Sequence, residues 1–303
     1  MPLVVAAIAV GLAVPTSATL MDPYSSVSNY AQYQSINQSS DDSVTGSGIA
    51  SALASASPDA TLGNSSMAEG SVEFPGDFAG MLRAKAGLSG SDPGYGTPNE
   101  LYASSYVSTN SYWEAISATL PVGTPVDLSL TLHVDGVLST GQWFGATANQ
   151  VSASAGSSAS CYFGNFGDHR NGNVILDAVN GLTEYADWDT YGSWITTEPS
   201  SNQKESIGTV DVPWTISGNV GDEIHIYFSL RSEVWAVGPY EVTASSDFFS
   251  TGYVTFNGFF DPTTGSLADV SLSGVPEPCS AAALGAMMVG LVPVYLRGRK
   301  RRS

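Results

Sequence analysis

Val126-Asp127-Leu128-Ser129-Leu130-Thr131-Leu132-His133-Val134 alternates aliphatic and polar residues without a break. Successive side chains of a strand point to opposite faces, so this period of two puts all five aliphatics on one side and the polar residues on the other. One buried face and one solvated face is the mark of an antiparallel sheet. Asp135-Gly136 follows at once and predicts a hairpin turn.

Working outward, the same pattern returns in Glu223-Ile224-His225-Ile226-Tyr227-Phe228-Ser229-Leu230, after the turn formers Val220-Gly221-Asp222. Phe248 to Phe260, containing Tyr253-Val254-Thr255-Phe256, ends at Asp261-Pro262. Gly80 to Leu88, Leu101 to Val107 and Tyr112 to Leu120 are further strand-sized runs bounded by Gly, Pro and Asn. No long run has a period of 3.6, and no fixed internal repeat is visible. The expected fold is all-β, an antiparallel β-sandwich of jelly-roll or immunoglobulin-like type, with no helix longer than two turns before the C-terminal segment.

Composition agrees with a packed domain. Of 303 residues, 43% are hydrophobic and 10% aromatic, enough for a core despite abundant Gly and Ser. Residues 19–70 are Ser/Ala/Gly-rich with few large apolar side chains, and they read as a low-complexity leader or weak strands. Residues 71–274 carry the sandwich pattern.

The formal net charge is -18. Of the ten basic residues, Arg297, Arg299, Lys300, Arg301 and Arg302 crowd the end, leaving Arg83, Lys85, Arg170, Lys204 and Arg231 against nearly all of the 28 acids. Such an exterior repels phosphate backbones and argues against a nucleic-acid partner. Cys161 and Cys279 are the two cysteines. They are poor disulfide partners, since one lies within the domain and the other borders an apolar C-terminal segment.

The two ends carry targeting features. Leu3 to Val14 is apolar, too short to span a bilayer comfortably, and is followed by Pro15 and Thr16-Ser17-Ala18, so residues 1–18 read as a signal peptide. At the other end, Val275-Pro276-Glu277-Pro278 interrupts regular structure, because two prolines fix φ and remove two donors. Cys279 to Leu296 is uncharged and as a helix would reach about 27 Å, close to the hydrocarbon thickness of a bilayer. The arginine-rich cluster follows immediately. By the positive-inside rule it stays cytoplasmic, which places the domain on the outer side of the membrane.

That order of Pro-Glu-Pro, apolar segment and basic tail, over residues 275–303, resembles the PEP-CTERM sorting signal of Gram-negative and related bacteria. The resemblance implies processing by an exosortase, a membrane-embedded cysteine transpeptidase, with Pro276, Glu277 and Pro278 as the recognition element. Arg297, Arg299, Lys300, Arg301 and Arg302 would be the retention element. It also implies an inner-membrane-anchored precursor, a mature form at the cell surface or outside the cell, and exopolysaccharide as a companion. Cys279 directly after the motif departs from the pattern. Asp247-Phe248-Phe249 and Asp261-Pro262-Thr263-Thr264-Gly265 resemble the last strands of exported domains with this tail.

Candidate chemistry within the domain is sparse. His133 and His225 fall at polar positions of alternating strands, and His169 lies in Gly167-Asp168-His169-Arg170-Asn171-Gly172-Asn173, which reads as a tight loop. Asp187-Trp188-Asp189-Thr190-Tyr191-Gly192, preceded by Glu184, offers Glu184, Asp187 and Asp189 as candidate Ca²⁺ oxygens, without the third acid or closing Glu of an EF-hand. Tyr185, Trp188, Tyr191 and Trp194 in the same stretch are candidate sugar-stacking residues, whereas Trp143 and Trp235 lie elsewhere. The chain has no Gly-x-Ser-x-Gly elbow, His-Glu-x-x-His helix or phosphate loop.

The expected function is therefore an exported structural or adhesive protein of the cell surface or matrix, without catalysis. A carbohydrate-binding module is one alternative. A secreted glycan hydrolase or lyase is the other, and it would need two carboxylates facing each other across a cleft.

Overall fold

A computed structural model describes residues 24–33, 36–45, 48–56, 65–74, 81–90, 99–142, 150–238 and 242–274. In chain order they form β1 (Tyr24–Tyr33), β2 (Ile36–Thr45), β3 (Gly48–Ala56), β4 (Ser65–Phe74) and β5 (Met81–Gly90). The long strands β6 (Asn99–Ile116), β7 (Pro125–Gln142) and β8 (Gln150–Phe163) follow, then β9 (Phe166–Asp177) and β10 (Gly181–Ala186). A single helical turn, α1 (Asp187–Tyr191), leads to β11 (Gly192–Ser200), β12 (Gln203–Asn219), β13 (Glu223–Gly238), β14 (Val242–Phe260) and the short β15 (Ser271–Gly274).

All pairings are antiparallel. One sheet runs β10-β9-β8-β13-β6-β1-β2, with β15 added to β6, and the other runs β11-β12-β7-β14-β5-β4-β3. They stack face to face, with β1 against β4, β6 against β5, β13 against β14, β8 against β7 and β9 against β12. The chain is therefore an all-β, sandwich-like fold, as its alternation predicts.

The alternation also assigns the core. Leu128, Leu130, Leu132 and Val134 of β7, Ile224, Ile226, Phe228 and Leu230 of β13, and Val210, Val212, Trp214 and Ile216 of β12 are all buried in one core. Each such side chain contributes about 1.5–3 kcal/mol by leaving water. On β6, β7, β8, β12 and β13 the alternate residues face outward, so each sheet presents one solvated surface.

The structure departs from several expectations. Asp135-Gly136 makes no turn: β7 runs straight through it, pairing Asp135 with Thr209 and Gly136 with Gly208. Gly136 sits at an inward position where a Cβ would come within 2.6 Å of the Phe248 ring. The glycine therefore serves close packing inside a strand. The runs Leu101 to Val107 and Tyr112 to Leu120 belong largely to one strand, β6, because its partner β13 pairs with it continuously from Asn99 to Glu114. The segment Gly167 to Asn173 is strand β9 and not a loop; the hairpin turn falls earlier, where Gly164 takes φ 59°. Within residues 19–70, read as a leader or weak strands, lie β1 to β3 and the first part of β4, and these strands extend both sheets within one compact unit, Asp22–Gly274.

No helix among the described residues is long and apolar enough to cross a membrane. The expected signal peptide (1–18), the apolar segment Cys279 to Leu296 and the rest of the C-terminal signal lie outside the described residues.

Candidate functional site

The acidic-aromatic stretch singled out in the sequence forms the corner between the two sheets. Ala186, at φ 63° and ψ −133°, ends β10 and turns the chain into α1. Asp187 is tethered there: its Oδ2 accepts the Asn171 backbone N–H at 3.1 Å, and its Oδ1 lies 3.8 Å from Arg170 Nη1. Arg170 Nη2 also meets Asp168 Oδ2 at 2.9 Å, and that oxygen accepts the Trp214 indole N–H at 2.9 Å. Asp187 thus positions the corner.

Glu184, Asp187 and Asp189 do not assemble into a cation site; among the described residues no group of three His, Cys, Asp or Glu is arranged to hold a metal ion. Burial, with the nearby Asp189 charge, raises the Glu184 carboxyl above the ordinary range.

The four candidate stacking residues divide. Trp188 is fully buried, and Trp194 packs partly buried against the same core, the two indoles stacking at 6.0 Å with Phe248 beside both. Tyr185 and Tyr191 are exposed. The tryptophans are a corner plug, so the platform expected from these four residues does not form.

The aromatic surface lies elsewhere, on the outer face of the eight-stranded sheet. β6 presents Tyr102, Tyr106 and Tyr112 outward; β13 presents His225, Tyr227, Arg231, Glu233 and Trp235; β8 adds Tyr162; and β1 adds Tyr24 and Tyr30. Serine occupies most of the remaining outward positions. Tyrosine and serine together give broad amphipathic contact and adaptable hydrogen bonding at low entropic cost, a pairing also used by antibody loops. Among the outward residues of the three central strands, β8, β13 and β6, between Tyr112 and Tyr102 in register, the only full charges are Arg231 and Glu233, which pair with each other. An otherwise acidic molecule therefore carries one nearly neutral face.

Its local geometry is specific. At one end Tyr112, His225 and Tyr162 stand in a row, His225 stacked 4.4 Å from Tyr112 and 6.0 Å from Tyr162, with His225 Nε2 3.0 Å from Asn110 Oδ1. Burial lowers the His225 pKa. At the other end Tyr30 and Tyr102 pack tilted at 5.8 Å, and Arg231 donates to Tyr102 at 3.5 Å. In the middle, the hydroxyls of Tyr106 and Tyr227 bond to each other. Burial and that bond push the Tyr106 phenol up to about 12.

This face was readable in principle. Tyr102, Tyr106 and Tyr112 share one parity, as do His225, Tyr227 and Trp235, at the solvated positions of strands whose other positions are aliphatic. Their convergence required the register that brings β1, β6, β13 and β8 side by side.

Cys161 is buried as a free thiol, and burial together with Asp168 pushes it up to about 12, which makes it inert. On the other sheet His133 Nδ1 lies 2.6 Å from Asp211 Oδ1, with the ring stacked on Tyr253 at 4.7 Å.

Fold and surface together define an all-β, sandwich-like protein with a tyrosine-serine outer face. Comparison with protein-family models, with curated proteins and with solved structures finds no match to the chain.

Proposed function

We propose that this chain is an exported, non-catalytic jelly-roll protein of the cell surface or surrounding matrix, which holds polysaccharide on the outer face of its eight-stranded sheet. The jelly-roll reading rests on strand order. β5, β14, β7 and β12 form one four-stranded half and β6, β13, β8 and β9 the other, with β13 and β14 slotted between earlier strands, as two interlocked Greek keys require. The exported location rests on the resemblance of residues 275–303 to an exosortase-processed signal, with exosortase as the processing partner.

The observation that carries the ligand class is the tyrosine-serine face within an acidic exterior. Sugars offer hydroxyls to serine and tyrosine and C–H surfaces to rings, and a neutral chain avoids the repulsion that an acidic polymer would meet. Glu233, the acid among these tyrosines, is tied to Arg231, which favours holding over hydrolysis.

Affinity electrophoresis of the full chain tests the reading, in gels containing dextran, galactomannan or alginate. Retardation by a neutral polymer that is lost when Tyr102, Tyr106 and Tyr162 are replaced together by serine supports it. Unchanged mobility in every gel overturns the glycan reading and leaves a structural or adhesive role without this ligand.

A further inference from the structure

On the outer face of the eight-stranded sheet, one register row is serine in five adjacent strands. Ser158 of β8 lies opposite Ser229 of β13, Ser229 opposite Ser108 of β6, Ser108 opposite Ser26 of β1, and Ser26 opposite Ser43 of β2. Four strand spacings make this row about 19 Å long, running across the strands. Tyr106 and Arg231 stand one row to one side, and Tyr24 and Tyr227 one row to the other. Small side chains between large ones make a groove.

The groove is roofed at its centre. Ser108 and Ser229 point outward from the sheet, yet they are only 7% and 5% exposed. Tyr106 and Tyr227 lean over them from opposite rows, and their hydroxyls meet above the floor. Toward β2 the roof ends, and a shallow cavity of about 520 Å³ opens along Tyr24, Ser26, Asp41 and Ser43. Ser26 Oγ bonds Ser108 Oγ at 2.9 Å, so the open end continues into the covered centre.

We propose that this groove takes one neutral polysaccharide chain laid across the strands, and that Tyr106 and Tyr227 form a roof whose hydroxyl bridge parts to admit it. The inference rests on the glycan reading above and locates it. The two phenols are joined by the bond between their hydroxyls, and the Tyr227 ring can swing about χ1 without disturbing the sheet. A bound sugar chain would offer hydroxyls to Tyr106 and to the serines beneath, and C–H surface to the ring of Tyr227, so the Tyr227 hydroxyl serves only the closed roof. Opening therefore costs about the net worth of one hydrogen bond, and its removal should tighten binding by about two- to tenfold.

The test measures retention of the full chain by dextran and galactomannan, with alginate as the acidic control and thermal unfolding as the check on folding. Tyr227→Phe keeps the ring and deletes the bridge, and it is expected to bind a neutral polymer two- to tenfold tighter than wild type. Ser229→Leu fills the floor and is expected to lose at least tenfold; Ser26→Leu fills the half-buried open end and serves if Ser229→Leu does not fold. Tyr253→Phe, on the outer face of the other sheet, should bind as wild type does. If Tyr227→Phe binds no tighter than wild type, the roof is overturned. If the leucine variants bind normally while the wild type is retained, the groove is overturned and the glycan reading stands. If the wild type is retained by neither neutral polymer, the glycan reading fails and takes the groove with it.

Discussion

Trp188 and Trp194 stack at 6.0 Å with an interplanar angle of 27°, closing the corner where the chain passes from one sheet to the other. They lie only six positions apart, yet they reach one another from α1 and β11, with Phe248 of β14 completing the cluster. Trp188→Ala should therefore cost about 3–5 kcal/mol, as for a large buried aromatic. Tyr185→Ala and Tyr191→Ala, at exposed positions of the same stretch, should each change stability by no more than about 0.5 kcal/mol. Urea denaturation of the three variants checks the contrast, and equal costs would contradict a corner plug.

Gly136 separates two readings of Asp135-Gly136. In a hairpin turn, replacing Asp135 by Asn would be neutral or favourable and the glycine would be needed for positive φ. In an unbroken strand, Gly136→Ala drives a Cβ to 2.6 Å from Phe248. It should lose about 1–3 kcal/mol through overpacking. In a Phe248→Ala background Gly136→Ala should cost less than it does alone, because the clash is with the Phe248 side chain; an unchanged cost would place it in the backbone.

His225 should make stability depend on pH. Burial holds its imidazole below the ordinary value of 6.5 in the folded chain. The unfolded chain takes up a proton near pH 6.5 that the folded chain accepts only at lower pH, so stability is fully present above 6.5 and falls as the pH drops toward the folded value. Tyr112 and Tyr162 flank the ring, Asn110 bonds it, and Glu114 and Glu223 lie one register row beyond. His225→Gln should flatten the part of the stability profile between pH 7.5 and pH 5 that His225 supplies. An unchanged profile would assign that slope to the carboxylates.

The C-terminal signal is checked by intact mass and cell fractionation in the native host. The wild type should yield a form shortened near Pro276-Glu277-Pro278 and found at the surface or outside the cell. Replacing all three by alanine should leave a full-length membrane form. A full-length membrane form in both would reduce the tail to a plain anchor.

Much of the fold could be read along the chain. The alternation at 126–134 and 223–230 fixes which residues face inward, and the turns at Val220-Gly221-Asp222 and Asp261-Pro262 bound strands where the structure has them. The Ser-rich segment after residue 19 was harder to place, because small side chains give weak alternation; β1 and β2 are strands through pairing with β6 and with each other. Glycine was ambiguous for a related reason: Gly136 and a turn glycine look alike until the neighbour across the core is known.

The sequence alone determined the periodicity, the charge balance and the order of features at the C-terminus, because each depends on residues adjacent along the chain. Only the tertiary structure decided which aromatics are surface and which are plug. Trp188 is buried because a one-turn helix swings it under the sheet corner, and Ser26, Ser108 and Ser229, scattered over some two hundred residues, meet in one row because strand register aligns them. Local pattern sets which way a side chain points, but its neighbours are set by pairing between distant strands, which no single stretch of sequence contains.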